Sequence, residues 1–163
     1  FVNARETNDA WYTATLPVTK RESVRAKCVL IVSLQLFQLL FSIPFTLLRR
    51  ALGVPNNPVG LDATLAWYGF GLMIYAAFDL AFFPAFYKSG YKAGKAFIVA
   101  SVPLLLGMIA VESAAHIPAL AWLDSDVHWR RQLPVLLAGA ACYASLLPLA
   151  CRISEGRFER VDL

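Results

Sequence analysis

The sequence predicts an all-α fold, a polytopic bundle of four transmembrane helices, and three observations lead to this prediction. Of the 163 residues, 58% are hydrophobic and only 16% are charged, whereas soluble domains are about 45–50% apolar and about 25% charged. Four apolar stretches are each long enough to cross about 30 Å of hydrocarbon, which takes about 20 residues. The segments between them are short, so the four spans should form one compact antiparallel bundle without a soluble domain.

The first element along the chain is a polar and basic N-terminal segment, residues 1–27, which we name the elbow. An N-cap at Asn8 or Asp9 predicts a short helix there, because these side chains accept hydrogen bonds from the first free backbone N–H groups. Trp11 and Tyr12 follow on one turn of that helix. The elbow therefore presents two large aromatic side chains in an otherwise polar segment.

A second helix begins in the elbow and continues into the first span. Leu16-Pro17 ends the first short helix, because proline excludes the residue before it from the helical conformation. Thr19 and Glu22 then have the spacing of a capping box, in which each side chain satisfies a backbone group at the helix start. No helix-breaking residue follows before Pro44, so the amphipathic elbow should be rigidly continuous with the first span.

The apolar part of the chain, residues 28–151, holds the four spans, and a charged tail follows at residues 152–163. The third span ends at Ala115 or runs on to Trp122; Pro118 favours a break, after which the short apolar segment turns back or lies in the membrane interface. Non-helical backbone at that depth must be satisfied by protein or water. The spans are expected at Cys28–Leu48, Ala63–Tyr87, Ala96–Ala115 and Leu133–Cys151.

The distribution of Lys and Arg predicts the orientation of the bundle. Eleven of the 15 Lys and Arg residues lie in the elbow, in the loop after the second span and in the tail, and four lie in the other two loops. Cytoplasmic segments carry the excess of Lys and Arg in membrane proteins. Both termini of this segment are therefore expected to be cytoplasmic.

Polar side chains within the first two spans are candidates for a transport path. Gln35, Gln38 and Ser42 recur at spacings of three and four in the first span, and Asp79 lies mid-way along the second. Amide and ionisable groups within a span face a cavity or another helix. Two interpretations stay open, hydrogen bonds that join neighbouring helices and a polar lining for a transport route.

Glu112 and His116 form an outer polar pair near the end of the third span. They are four residues apart and so lie on one face of a helix. Their spacing matches no metal signature. We therefore prefer a mutual hydrogen bond near the outer surface to a metal site or a proton relay.

No sequence pattern supports catalysis or a cofactor. Gly90–Lys95 resembles a phosphate loop only superficially, because it is one residue too short between its glycines and lacks the following Ser or Thr. No G-x-S-x-G or H-E-x-x-H pattern is present. The cysteines have no C-x-x-C spacing and are interpreted as inert buried thiols. We expect no enzyme activity, no metal, no cofactor and no nucleic-acid partner.

Three short segments carry a resemblance to a known family. Asn-Asp-x-Trp-Tyr, followed by Leu-Pro-Val-Thr-Lys, precedes the first span; Phe83–Lys95 is a turn with Pro, Gly and Lys; and Ser154–Leu163 is a short charged ending. In this order and on one side of the membrane, they resemble the type-2 (exporter-class) permeases of ABC transporters. The resemblance is closest to the small bacterial group that includes bacitracin-export permeases.

The resemblance implies an N-terminally truncated permease subunit, whose four spans are the third to the sixth of six. It also implies a separate ABC ATPase subunit, a second permease subunit in a homodimer, and a place in the bacterial inner membrane. ATP energy would then arrive through the elbow as a cytoplasmic coupling element. The coupling residues expected from this are Asn8, Asp9, Trp11, Tyr12, Leu16, Pro17 and Arg21.

Two other classes of function are alternatives to a permease. A membrane scaffold or sensor subunit without transport would use the basic elbow to bind anionic lipid, at about 1 kcal/mol for each Lys or Arg. A membrane-embedded enzyme is disfavoured because no acid–base pair or metal signature faces the cytoplasm. Lipid binding needs neither the Trp11-Tyr12 pair nor the Leu16-Pro17 break, and both features favour the ATPase contact.

Overall fold

Four long α-helices make up most of the part of the chain that the computed structural model describes, which is Tyr12, Thr15 and residues 17–54, 60–89 and 92–161. Within these residues there is no strand, and two short 3-10 helices, Pro118–Asp124 and Asp126–His128, join the third helix to the fourth. The all-α helical bundle predicted from the sequence is confirmed. The four helices are α1 (Lys20–Ala51), α2 (Leu65–Lys88), α3 (Ala93–Ala115) and α4 (Trp129–Glu159).

Each of these helices is long and apolar enough to cross a membrane. The shortest, α3, has 23 residues and is about 34 Å long at 1.5 Å per residue. Helices α1 and α4 have 32 and 31 residues, so they exceed a hydrocarbon layer of about 30 Å by several turns. The polar turns of α1 at its start and of α4 at its end account for this excess.

Helix α1 begins at the capping box that the sequence predicts. The Thr19 hydroxyl accepts a hydrogen bond from the Glu22 N–H at 3.2 Å, and the Glu22 carboxylate accepts one from the Thr19 N–H at 2.8 Å. The helix then continues through Pro44 to Ala51, since a proline is tolerated in a membrane helix when neighbouring groups satisfy the freed backbone. The backbone is helical without interruption across the expected boundary at residues 27 and 28.

The tail is a continuation of α4 and has no separate fold in the described residues. Helix α4 runs across the expected boundary at residues 151 and 152 and ends at Glu159.

The third helix ends at Ala115, and the segment from Pro118 is 3-10 helix. Of the two predicted ends for the third span, the earlier one is therefore correct.

The helices pack in a layer around α2, which lies between α3 and α4, while α1 packs against α4. At the crossing of α2 and α4, Gly69 and Gly139 bring the two backbones into contact. A Cβ built on Gly139 would lie 2.1 Å from the Gly69 carbonyl oxygen. Small residues allow such close approach in membrane bundles. We name the end of the bundle where α1 begins and α4 ends the elbow end, and the opposite end the loop end.

The densest core lies at the elbow end. Aromatic side chains of α2 stack along one face, and Tyr87 packs against the Phe158 ring of α4 at 5.2 Å between centroids. Val24 of α1 is fully buried in this core, so the membrane-proximal part of the elbow belongs to the bundle. The buried members of the core are Val24, Cys28, Phe82, Phe83, Phe86, Tyr87, Ala96, Ala100, Ala150 and Phe158.

Candidate functional site

The aromatic part of the elbow lies mostly outside the described residues. Asn8, Asp9, Trp11 and Leu16 are among those not described. Tyr12 is helical and 60% exposed, and the Thr15 hydroxyl donates to its carbonyl oxygen at 2.7 Å. Pro17 is also exposed. Their role in binding an ATPase stays a prediction.

Two ion pairs join the basic start of α1 to the acidic end of α4. Arg21 donates to Glu159 at 2.6 Å and Arg25 donates to Glu155 at 2.7 Å. The pKa of Glu159 is lowered from its ordinary value, chiefly by the hydrogen bond from Arg21. The same hydrogen bond raises the pKa of Arg21. In this structure both arginines contact protein carboxylates, whereas the sequence assigned Arg21 to the ATPase contact.

A third contact at the same place reaches the described end of the tail. Lys20 donates through Nζ to the carbonyl oxygen of Val161 at 2.7 Å, and its ammonium lies 5.7 Å from the centre of the Phe158 ring. A cation over an aromatic face is attracted by the ring quadrupole. The start of α1 is thus tied to the end of α4 by charged groups at the surface and by Val24 and Phe158 in the core.

A hydrogen-bonded network crosses the middle of the bundle and joins three helices. Gln35 of α1 donates through Nε2 to Asp79 Oδ1 of α2 at 3.1 Å, and its Oε1 accepts from the hydroxyl of Tyr143 on α4 at 2.6 Å. Asp79 is only 1% exposed, and its Oδ2 has no hydrogen-bond partner among the described residues. The structure thus brings together two of the predicted transport-path residues and adds Tyr143.

The other two predicted path residues lie apart from this network. The Ser42 hydroxyl is 2.9 Å from the Tyr68 hydroxyl of α2, and the Thr46 hydroxyl is 3.4 Å from the same oxygen. Gln38 is exposed on the surface of α1. Of the two interpretations of the polar stripe, hydrogen bonding between helices is what Gln35 and Ser42 show here, and a transport role for the stripe stays a prediction.

At the loop end, Gln132 holds the two 3-10 helices against the bundle. Its side-chain amide is within 2.8–3.0 Å of the carbonyl oxygens of Trp122, Leu123 and Ser125, and Gln132 is only 1% exposed. The Thr64 hydroxyl donates to the Leu123 carbonyl at 2.9 Å. Buried carbonyl groups at the end of a short helix need such donors. Gln132 and Thr64 together close the loop end.

A second set of contacts at the loop end joins the two outer loops to α1. Arg49 forms an ion pair with Asp62, and the backbone N–H of Asp62 donates to Asp124 Oδ1 at 2.6 Å. The end of α1 is therefore linked through Asp62 to the 3-10 helix that precedes α4.

Glu112 and His116 do not hydrogen-bond to each other in the structure. His116 is exposed, whereas Glu112 Oε2 is buried without a hydrogen-bond partner among the described groups. The Glu112 carboxylate instead lies against Gly60, where a built Cβ would come within 1.6 Å of Oε2. Gly60 therefore leaves room for this carboxylate, and the expected bond between the pair is absent.

A groove of about 400 Å³ lies between the loop-end halves of α1, α2 and α4. Most of its lining is aliphatic, including Leu39, Ile43 and Leu72, and Thr46, Tyr68 and Gln132 also line it. Arg50 and Trp129 lie at its loop end. Ligand sites in proteins are typically about 300–1,000 Å³, mostly apolar and supplied with few polar groups, so the groove has the size and character of such a site.

The described residues contain no group of three or more His, Cys, Asp or Glu side chains that could hold a metal ion. Cys28 is buried in the core, and Cys151 packs against the same core. Asp79 and Gln35 supply hydrogen-bonding groups in the middle of the bundle.

Sequence reasoning missed four residues that organise the structure. Tyr143, Gln132, Gly69 and Gly139 occupy positions in or near apolar spans where no motif marks them. Gln132 carried one signal, because an amide next to an apolar span usually finds a partner. The glycines carried another, since small residues in membrane helices often mark a close crossing.

Residues 5–142 match a family model described as ABC-2 family transporter protein. This range takes in most of the elbow, helices α1 to α3 and the first half of α4. No curated protein and no solved structure matches the chain at a significant level.

Proposed function

The chain belongs to the ABC-2 transporter family, and on this premise we propose that it is the permease subunit of an ATP-binding-cassette exporter, driven by a separate ATPase polypeptide. The four apolar helices make it a multi-pass membrane protein. The family match supports a membrane transport component. Residues 1–163 carry no phosphate loop, and the proposal assigns ATP hydrolysis to a partner ATPase.

One observation carries the coupling part of the proposal, the continuity of the elbow with α1. Thr19 caps a helix that runs without a break to Ala51. Val24 fixes the first turns of this helix in the core. A displacement applied to residues 20–27 would therefore reach the rest of α1 as the motion of a rigid body, because a helix is stiff along its length and a close-packed core transmits strain.

Movement of α1 would next act on the mid-bundle network. Among the described residues, Gln35 is the link that α1 supplies to that network, and it contacts both Asp79 and Tyr143. A shift of α1 by one ångström or so would break bonds of about 3 Å, since hydrogen bonds weaken steeply beyond about 3.5 Å. We propose that this exchange of partners changes access to Asp79 during transport.

The proposed coupling surface is formed by the aromatic and turn residues of the elbow, of which Tyr12 and Pro17 are described and exposed. Trp and Tyr are enriched among the residues that dominate protein interfaces. Arg21 contributes through Glu159, since their ion pair positions the end of α4 beside the elbow. The surface comprises Asn8, Asp9, Trp11, Tyr12, Leu16, Pro17 and Arg21.

We also propose the orientation and assembly of the subunit. The excess of Lys and Arg at the elbow end favours a cytoplasmic location for that end, in the inner membrane of a bacterium. A symmetric pair of permease subunits with two ATPases would place the exported molecule between matching surfaces, as closed two-fold symmetry favours.

Pull-down of the ATPase with elbow variants tests this function. Truncating a buried aromatic anchor costs about 2 kcal/mol or more, which weakens a complex about 30-fold. We expect Trp11→Ala and Tyr12→Ala in detergent to release the ATPase, while Trp129→Ala, an exposed aromatic at the loop end, retains it. Arg25→Ala should have little effect, because its partner is Glu155. Full co-purification and full substrate-stimulated ATP hydrolysis with the double aromatic variant would refute the coupling role.

The alternative of a lipid-bound scaffold gives the opposite result. Binding through Lys and Arg would depend on salt and on anionic lipid, and it would be indifferent to Trp11 and Tyr12. In the structure Arg21 and Arg25 contact Glu159 and Glu155, which lowers the basic charge that the elbow offers to lipid. This observation favours the permease.

A further inference from the structure

Asp79 is a carboxylic acid that the bundle encloses far from both ends of its helix. It is 1% exposed, and it lies in α2 about 14 Å from the Lys88 end and about 21 Å from the Leu65 end, at 1.5 Å per residue. Its Oδ1 accepts a hydrogen bond from Gln35 Nε2 at 3.1 Å. Its Oδ2 has no hydrogen-bond partner in the described part of the chain. One carboxyl oxygen is therefore satisfied, and the other is enclosed without a partner.

The groups around Asp79 provide no positive charge. The titratable side chains close enough to interact with its charge are two tyrosines and two cysteines, namely Tyr75 of α2, Cys28 of α1, and Tyr143 and Cys151 of α4. Phenol and thiol groups are ordinarily uncharged at neutral pH. Helix α3 carries Lys95 and Glu112 only in its first and last turns. Among the described residues, no Lys or Arg therefore balances a charge on Asp79.

A proton is the ligand that this environment favours. An ionised carboxylate in the middle of a membrane bundle, without a cation beside it, carries a large desolvation cost. A protonated Asp79 keeps the hydrogen bond from Gln35 and leaves a neutral hydroxyl unpaired at Oδ2, which costs less than an unpaired charge. Oδ2 is almost inaccessible to water, so a hydrated ion or an amine does not fit beside it in this conformation.

We propose that Asp79 is a proton-binding site that α1 closes through Gln35. The Gln35 amide bridges the Asp79 carboxyl and the Tyr143 hydroxyl, and it joins α1 to the two helices behind it. While this bridge is intact, the carboxylic acid is shielded from water and keeps its proton. When α1 moves away, water reaches the carboxyl group. The O–H bond at Oδ2 then breaks, the proton passes to water, and the carboxylate that remains is solvated.

This inference deepens the proposed function and rests on it in one respect. The proton site depends on the packed bundle alone, and only its opening during a transport cycle depends on the chain being a permease. Because the closed conformation binds the proton more tightly than the open one, acidification favours the closed conformation and a rise in pH favours separation of α1. An exporter of this kind would release a proton when its ATPase displaces α1.

Infrared spectroscopy of the full chain in nanodiscs tests the site, because a protonated carboxyl group and a carboxylate have separate C–O stretching bands. At neutral pH we expect a band of a protonated carboxyl group that is absent from Asp79→Asn. Glu112→Gln is the matched control. Glu112 also has a buried oxygen without a described partner, but it lies in the last turn of α3, and the band should persist in this variant.

Exchange of the acid proton for deuterium tests the closure by α1. Transfer to deuterium oxide shifts the band of the protonated carboxyl group, and the rate of this shift reports how often the site opens to water. Gln35→Ala removes the bridge, and we expect exchange about tenfold faster than in the parent, as the loss of a stabilising hydrogen bond allows. Gln38→Ala makes the same change at an exposed amide of α1 and should exchange at the parent rate.

Two results would overturn the proposal. The first is the absence of the Asp79 band from the unmodified protein at neutral pH, since the carboxyl group would then be ionised in the closed bundle. The second is an equal exchange rate in the parent, Gln35→Ala and Gln38→Ala. If Gln35→Ala loses its helical circular dichroism, Tyr143→Phe replaces it, because this variant removes only the hydroxyl that holds the bridge. The assay contains no ATPase, so its failure leaves the permease proposal standing, and failure of the elbow pull-down leaves the infrared result unchanged.

Discussion

The contact between Gly69 and Gly139 provides the sharpest test of the packing in this bundle. A Cβ built on Gly139 would lie 2.1 Å from the Gly69 carbonyl oxygen and 2.8 Å from its Cα. A Cβ on Gly69 would lie 2.6 Å from the Val135 carbonyl oxygen. These neighbours are backbone atoms, so the clash cannot be relieved by rotating a side chain. The helices must separate by about 0.9 Å before the first contact reaches 3.0 Å.

Moving α2 and α4 apart at this crossing costs free energy of folding. A gap of about 0.5–1 Å forfeits roughly a quarter to a half of each dispersion contact along the crossing, and overpacking of a closely packed interior costs about 1–3 kcal/mol. Tyr143 is one turn beyond Gly139 on α4, so its bond of 2.6 Å to Gln35 would lengthen at the same time. We expect Gly139→Ala and Gly69→Ala each to lower the free energy of unfolding by about 1–3 kcal/mol relative to a matched control.

The controls lie in the same helices. Gly71 is two residues from Gly69, and its built Cβ meets only the Leu39 side chain at 3.8 Å, while Gly156 of α4 meets nothing within 4 Å. Alanine favours a helix over glycine by about 0.5–1 kcal/mol, so Gly71→Ala and Gly156→Ala should be neutral or stabilising. Comparing Gly139→Ala and Gly69→Ala with these two controls therefore removes the effect of alanine's higher helix propensity from the difference in the free energy of unfolding.

Unfolding in mixed micelles with increasing dodecyl sulfate, followed by tryptophan fluorescence and circular dichroism, measures the difference. Gly139→Ala and Gly69→Ala should unfold at a lower dodecyl sulfate fraction than both controls. If all four variants unfold within about 0.5 kcal/mol of one another, the scatter typical of surface substitutions, the α2–α4 crossing does not have the backbone contact described.

Three further predictions concern the two ends of the bundle. Gln132→Leu should cost about 1–3 kcal/mol, because buried carbonyl groups lose their donor, and it should expose the 3-10 segment to proteolysis; a protease pattern unchanged from that of the parent would contradict this. Arg21→Gln should shift unfolding less than Gly139→Ala does, since exposed ion pairs contribute little. Because the pKa of Glu159 is lowered from its ordinary 4.5, the contribution of this pair is present above that pH and is lost as the pH falls through the folded-state value; a pair contribution that grows on acidification would contradict the assignment. Reporter fusions should give an extracytoplasmic signal at Asn57 and a cytoplasmic signal after Leu163, and a cytoplasmic signal at Asn57 would reverse the orientation.

The local features of the helices follow from the sequence. Apolar stretches of membrane length predict four helices, and the start of α1 at Thr19 is confirmed as a capping box. These features depend on residues only a few positions apart, where backbone hydrogen bonding and hydropathy act directly. The break before Pro118 is of the same kind, because a proline and its predecessor restrict each other.

The polar network was only partly predictable. Gln35 and Asp79 are polar groups in apolar spans, where an unpartnered polar side chain costs free energy, so the sequence predicts that each has a partner. The sequence does not reveal that Gln35 and Asp79, which are 44 positions apart, hydrogen-bond to each other. Nor does it reveal that Tyr143, 108 positions from Gln35, completes the network. The stripe also included Gln38, which the bundle leaves exposed, because spacing defines a helix face but not what lies opposite it.

Pairing across helices was decided only by the tertiary structure. Arg21 and Arg25 are basic residues of a membrane-proximal segment in the sequence, and in the fold they contact acidic residues of α4. Gln132 and the two glycines at the α2–α4 crossing acquire their roles in the same way. Hydropathy and capping are properties of one segment, whereas the direction, depth and rotation of two packed helices arise from shape complementarity between surfaces that are distant along the chain.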